Sequence, residues 1–249
     1  MIVFVTGATA GFGTEIVRRF ATQGHRVVAT GRRADRLAKL SEELGALVHT
    51  EILDVCDRAA VSACVQGLPP DFVAIDVLVN NAGLGLGLEP AQRANLDDWE
   101  RMIDTNVKGL AYVTHAILPG MVERNRGHVV NLGSVASHVP YPGGNVYGAT
   151  KAFVDQLSLN LRADLLGTAV RVTNIEPGLC GGTEFSSVRF RGDDARAAKV
   201  YEGTSPLLPV DIAEAVWWVA TLPAHVNINR IEMMPVCQSF APLAVHRVT

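Results

Sequence analysis

The sequence predicts an α/β fold built on a single doubly wound, Rossmann-type parallel sheet with helices on both faces. Short β-branched runs with little polar alternation recur along the chain, the mark of strands covered on both sides. Stretches of helical spacing separate them, which calls for right-handed crossovers between parallel neighbours. Of 249 residues, 48% are apolar and 19% charged, enough to bury a sizeable core and incompatible with disorder.

The elements follow one another in strict alternation. Ile2–Thr6 is an apolar run ending in a glycine turn, and Thr14–Gln23 behind it repeats Ile16, Val17 and Phe20 at helical spacing. The pairs Arg26–Thr30 with Ala34–Leu44 and Leu47–Leu53 with Arg58–Gln66 continue the pattern. Ile75–Val79 leads to a long helical stretch, Leu96–Glu123, and Gly127–Asn131 leads to Val146–Leu166. Val170–Ile175 is followed, after an irregular segment, by the helical Asp211–Thr221 and a last strand, Ile228–Met233. That segment, Gly178–Pro209, is long for a loop in a compact domain; such stretches either close over a ligand or stay disordered. No linker or repeat interrupts the chain, so residues 1–249 are expected to form one domain, with 178–209 as a substrate loop region. Pro235–Thr249 lacks periodicity and is expected to tie onto a neighbouring subunit.

Several function classes drop out. Lys plus Arg number 22 against 25 Asp plus Glu, a net charge of −3 without long like-charged runs, which argues against nucleic acid as a partner. Cys56, Cys64, Cys180 and Cys237 show no metal-ligand spacing, so no metal is expected. No apolar run approaches the roughly 18 residues of a membrane span. The opening MIVFVTGA has no basic n-region, so the expected location is the cytoplasm.

The chemistry begins directly after the first strand, at Thr6-Gly7-Ala8-Thr9-Ala10-Gly11-Phe12-Gly13. Gly7 permits a tight turn, Gly11 lets backbone N–H groups approach a pyrophosphate, and Gly13 lets helix and strand pack closely. Thr9 and Phe12 belong to the same turn. The second strand ends at Arg32-Arg33, where a fold preferring NAD would carry an acid for the ribose 2′-hydroxyl. Two arginines beside a helix start oppose its dipole, so a bidentate grip on a 2′-phosphate is the better reason for them. This predicts NADP(H). Asp54, with Val55 beside it, either accepts from the adenine amino group or caps the helix beginning near Asp57. Asn81, Ala82 and Gly83 follow the fourth strand as a backbone platform beside the adenine ribose, or as a simple turn.

Tyr147 and Lys151 lie four residues apart in a helical pattern and share one face. A tyrosine of pKa near 10 is a poor acid or base at neutral pH, and an adjacent ammonium favours its phenolate. Ser134 lies just past the fifth strand, and Asn106 sits inside the long helical stretch, where its polar side chain fits poorly with helix propensity. Taken in order, TGxxxGxG, NNAG, an internal helical Asn, Ser, YxxxK and a later Pro-Gly resemble the short-chain dehydrogenase/reductase family over essentially the whole chain.

That resemblance implies that Tyr147 exchanges a proton with the carbinol or carbonyl oxygen and that Ser134 hydrogen-bonds the same oxygen. It implies that Lys151 holds the nicotinamide ribose and depresses the tyrosine pKa, while Asn106 holds a water beside Lys151. Pro177-Gly178 would border the nicotinamide. Thr183 would reach the pyrophosphate or carboxamide, although it stands five residues after Gly178 where the family commonly has four. NNAGLGLGLEPAQ, GGNVYGATKAF, IEPGLCGGTEFSSVRFRGDD and LPAHVNINRIEMMPVCQSF are similar to one branch, the bacterial NADP-dependent 3-hydroxy acid dehydrogenases. The branch implies a homotetramer acting on small acids of the serine, allo-threonine and 3-hydroxypropionate/malonic semialdehyde kind. A small acid needs a cation near its carboxylate. Arg189 is the candidate, or else a surface arginine, and Gln238 could add a hydrogen bond. A sulfonate such as sulfoacetaldehyde would suit the same pair, and a non-catalytic NADP(H)-binding regulator is the rival of another class.

Overall fold

The structure is a computed structural model that describes residues 1–240. Residues 241–249, part of the segment expected to tie onto a neighbouring subunit, lie outside the described residues. In chain order the elements are β1 (Ile2–Val5), α1 (Gly11–Ala21), β2 (Arg26–Gly31), α2 (Ala34–Leu44), β3 (Val48–Ile52) and α3 (Arg58–Gln66). β4 (Val77–Asn80), α4 (Leu96–Ile103), α5 (Leu110–Glu123), β5 (Gly127–Leu132), α6 (Asn145–Asp164) and β6 (Val170–Pro177) follow. The described chain closes with α7 (Phe185–Arg189), α8 (Asp194–Lys199), α9 (Pro209–Thr221) and β7 (Arg230–Met233).

The seven strands form one sheet in the order β3-β2-β1-β4-β5-β6-β7, and every pairing is parallel. Alternate residues of a strand feed opposite cores. Val3 and Val5 pack with Ile16, Phe20, Ile212 and Val216 from α1 and α9, whereas Phe4 packs with Val61, Val113, Ile117 and Met121 from α3 and α5. Both faces of β1 are therefore apolar, and polar alternation is missing from its sequence for that reason.

Strand order reverses between β1 and β4, and there the carboxyl ends of the strands open a crevice. Thr6 Oγ1 spans the divide, accepting from the backbone N–H groups of Asn81 (3.0 Å) and Ala82 (2.9 Å). The segments that carry the chemistry thus leave adjacent strands at one edge.

Two expectations need correction. The predicted helix Leu96–Glu123 is interrupted by a π-helical turn at Asp104–Gly109, with Asn106 buried inside it. The segment 178–209, read as irregular, contains α7 and α8. These helices have only five and six residues, too short for apolar periodicity to declare itself.

Candidate active site

The phosphate end is shaped by glycines that tolerate no side chain. Gly7 has φ +66° and Gly11 φ +52°, backbone that favours glycine. A Cβ on Gly13 would meet the Gly7 carbonyl oxygen at 2.3 Å, so only hydrogen lets α1 start this close to the turn. The α1 N-terminus has neither a side-chain cap nor an acid in its first turn. Its unpaired N–H groups and positive dipole end fit a pyrophosphate. Thr183 Cγ2 would lie 3.1 Å from a Cβ on Gly11, so despite its extra residue of spacing it packs against the glycine turn. The turn, Thr183, Glu184 and Arg36 border a cleft of about 560 Å³.

Arg32 and Arg33 diverge. Arg32 leans toward Asp54, 3.7 Å away. Arg33 donates through Nε and Nη2 to Thr9 and through Nη1 to Glu184, the last at 2.7 Å. Asp54 does not cap α3: Asp57 does, accepting from Ala59 and Ala60, while Asp54 accepts from the Cys56 N–H at 3.0 Å. Val55 is buried and fills the space beside Gly109. Asn81 Nδ2 donates to the carbonyls of Thr6 (2.9 Å) and Gly7 (3.1 Å), bracing the turn from behind. Phe12 packs against the α1 side of the core.

At the chemical end, β5 delivers Ser134 and the first two turns of α6 deliver Tyr147 and Lys151. Lys151 is only 8% exposed; its Nζ donates to the Leu132 carbonyl at 2.7 Å, and burial pulls its pKa down to about 8. Burial pushes the Tyr147 phenol up to about 12, against the Ser134 hydroxyl and the Arg189 guanidinium, which pull it down. Lys151 Nζ stands 5.9 Å from the Tyr147 ring centroid. Two cations therefore stand beside the phenol, Arg189 with its guanidinium carbon 5.1 Å from the ring centroid and Lys151 one helical turn along α6.

Asn106 is held from two sides. Its Nδ2 donates to the Leu84 carbonyl (2.8 Å) and Thr150 Oγ1 (3.0 Å), and its Oδ1 accepts from the Leu84 N–H (2.9 Å). Both donors of the amide are spent, so the side chain braces the β4–α4 loop against α6. A Cβ on Gly83 would sit 3.3 Å from Asn106 Oδ1 and 3.5 Å from Lys151 Nζ, which places all three at one point.

Arg189 lies over the active tyrosine. Its guanidinium carbon is 5.1 Å from the Tyr147 centroid and 4.7 Å from that of Phe185. Its Nη2 donates to Tyr141 Oη at 3.3 Å, and its Nε is buried with no partner among the described residues. Gln238 sits against Gly178, next to Pro177, but its Oε1 is committed to the Leu179 N–H at 2.6 Å. Cys180 is pushed up to about 12 by burial, which suits a small apolar residue and not a nucleophile.

Arg36, Glu184, Tyr141, Phe185 and Thr150 were not singled out from sequence. Arg36 had a signal, as the third arginine of Arg32-Arg33-Ala34-Asp35-Arg36. The others are brought in by the loop before α6, by α6 and by the 178–209 segment and carry no motif of their own.

Comparison with known proteins agrees with this geometry. A model of the short chain dehydrogenase family matches residues 1–193. The NADP-dependent 3-hydroxy acid dehydrogenase YdfG of Salmonella typhi is 69% identical over 247 residues, 99% of this chain and 100% of that protein. Serine 3-dehydrogenase of Rhizobium radiobacter is 52% identical over 245 residues, 98% of each chain. The closed form of serine dehydrogenase complexed with NADP⁺ superposes with a TM-score of 0.98 at 66% identity, covering 99% of this chain and 100% of that one. With its crevice, its Ser134–Tyr147–Lys151 cluster and these matches along nearly its full length, the chain belongs to the short-chain dehydrogenase family.

Proposed function

We propose that this protein is an NADP(H)-dependent oxidoreductase that moves a hydride to or from small 3-hydroxy acids and their 3-oxo counterparts, of the serine, allo-threonine and 3-hydroxypropionate/malonic semialdehyde kind. The relatives' names support the reaction and favour a carboxylate over a sulfonate substrate. Arg189 carries the reading from the structure: a guanidinium stacked over the acid/base tyrosine, its buried Nε without a partner among the described residues. Placed there, it can bind an acid group while the carbon bearing the oxygen lies beside Tyr147.

When bound, NADP(H) would supply or accept the hydride. In the reducing direction Tyr147 Oη gives its proton to the carbonyl oxygen, and its raised pKa keeps that proton in place at neutral pH. The Ser134 hydroxyl donates to the same oxygen. Lys151, anchored on Leu132, would hold the nicotinamide ribose and offer positive charge to the phenolate left behind. The glycine turn with Thr9 and Phe12, together with Asn81, Ala82, Gly83, Pro177, Gly178 and Thr183, would line the dinucleotide. Arg32 and Arg33 would hold its 2′-phosphate, and Asp54 and Val55 its adenine. Gln238 would offer its amide NH₂ to the substrate.

Replacing Arg189 with Ala should lower kcat/KM for a 3-hydroxy acid roughly 10- to 100-fold, as expected for losing a charge-assisted hydrogen bond, while a neutral secondary alcohol is little affected. Equal losses on both substrates would remove the carboxylate role.

A cytoplasmic homotetramer is the proposed assembly. No helix among the described residues is long and apolar enough to cross a membrane. Ile103, Val122, Phe153 and Leu159 on α4 to α6, and Trp218 on α9, expose apolar surface suited to self-association. Light scattering giving the mass of a single chain would discard the assembly.

A further inference from the structure

The arginines that would receive a 2′-phosphate already hold an anion. Glu184 Oε2 accepts from Arg33 Nη1 at 2.7 Å, and Glu184 Oε1 accepts from Arg36 Nη2 at 2.7 Å. We propose that Glu184 is an internal competitor for the adenosine 2′-phosphate: it occupies Arg33 and Arg36 and releases Arg33 when that phosphate binds, so that cofactor choice and the hold on the segment after Thr183 are one equilibrium. This rests on the proposed role of Arg33 at the 2′-phosphate.

Three observations carry it. First, every donor group of Arg33 is engaged, Nε and Nη2 on Thr9 and Nη1 on Glu184. Four of the five N–H groups are used and the fifth is on Nη1, so a second anion can gain a bidentate hold on Arg33 only by taking a partner's place. Of those partners Glu184 is the charged one, and exchanging anion for anion leaves no guanidinium unpaired.

Second, the pairing is made to exchange. The side chains of Arg33, Arg36 and Glu184 are 39%, 43% and 41% exposed, so water stabilises the freed carboxylate and the two ion pairs are modest. Burial acts to raise the Glu184 pKa, but its bonds to Arg33 and Arg36 outweigh this and hold it below the usual carboxylate range. The competitor is therefore charged at neutral pH.

Third, Glu184 is wired into the active site by the chain itself. It follows Thr183, which packs on Gly11, and it directly precedes α7. That helix carries Phe185 and Arg189 against Tyr147. A dinucleotide without the 2′-phosphate leaves Glu184 on both arginines, whereas one that has it loosens the N-terminal end of this strap to the Arg36 pair alone.

The test uses the full chain and two probes that differ only in the phosphate of interest, adenosine 2′,5′-bisphosphate and adenosine 5′-monophosphate. By titration calorimetry, Glu184→Gln should tighten the bisphosphate about two- to fivefold, the scale of the one part-exposed ion pair given up, and leave the monophosphate within about twofold. In the unaltered chain, hydrogen exchange of the α7 amides should quicken with saturating bisphosphate and not with monophosphate. This arm needs no variant. Unchanged or weakened bisphosphate binding by Glu184→Gln, or unchanged α7 exchange, overturns the competitor. Arg33→Ala separates the two layers. If it removes the preference for bisphosphate while Glu184→Gln has no effect, the 2′-phosphate site stands and the competitor falls. If Arg33→Ala keeps the preference, both fall.

Discussion

Tyr147 shows how much of the chemistry depends on the surroundings of one side chain. In the folded chain its phenol is pushed up to about 12 by burial, so at neutral pH it holds a proton ready for a carbonyl oxygen. The reverse direction needs the phenolate, and the cations available to it are Arg189 over the ring and Lys151 one turn along α6. Lys151, pulled down to about 8 by burial, loses its charge as pH rises through that value. Tyr147→Phe keeps the ring beside Phe185, whose centroid is 5.7 Å away, and removes only the hydroxyl. The rate should fall roughly 100- to 10,000-fold, the usual worth of a positioned acid/base, with NADP(H) binding followed by fluorescence unchanged. Parent-like turnover in this variant would take the proton away from Tyr147.

Among the elements, the π turn between α4 and α5 has the clearest consequence. A π turn admits an extra residue into the helical ladder and often marks a functional site. Here it places Asn106 against the Leu84 backbone and Thr150, and Thr150 Oγ1 in turn donates to the Tyr147 carbonyl at 2.8 Å. Asn106 is therefore a positioning residue acting through the β4–α4 loop and α6. Asn106→Ala strands the buried N–H and C=O of Leu84, which should cost about 1–3 kcal/mol. It should lower kcat more than it raises KM for cofactor, because the Ser134–Tyr147–Lys151 geometry loosens while the glycine turn is untouched. Denaturant unfolding and steady-state kinetics check the two parts. Full kcat with lowered stability would leave Asn106 a purely structural residue.

Over the whole molecule, the sheet contains a titratable group that the reaction does not use. His128 in β5 is 1% exposed, with Nε2 at 2.8 Å from Thr173 Oγ1. Burial, aided by the Arg171 charge, lowers its pKa from 6.5 to about 3. The unfolded chain therefore takes up this proton first as pH falls. The contribution of a neutral His128 is fully present above about pH 6.5 and is lost progressively down to about pH 3, at up to about 1.4 kcal/mol per pH unit. Comparing His128→Gln with the parent cancels the other groups. The unfolding free energy of the variant should fall less between pH 7 and pH 4.5 in urea titrations, and parallel curves would place the acid sensitivity elsewhere.

What the linear chain determined by itself is the alternation of strand and helix, the glycine turn and the shared helical face of Tyr147 and Lys151. Each rests on short-range physics: periodicity, a turn only glycine makes, and one helical turn between two side chains. Asn106 was visible as a polar residue in a helix, but its bonds to Leu84 were not, because a π turn has no composition of its own. Only the tertiary structure decided that Asp57, not Asp54, caps α3, that Arg33 meets Glu184 across 151 positions of sequence, and that Arg189 lies on Tyr147. Those contacts come from strands and segments folded side by side at the switch in strand order, and nothing local encodes which distant residue will stand opposite.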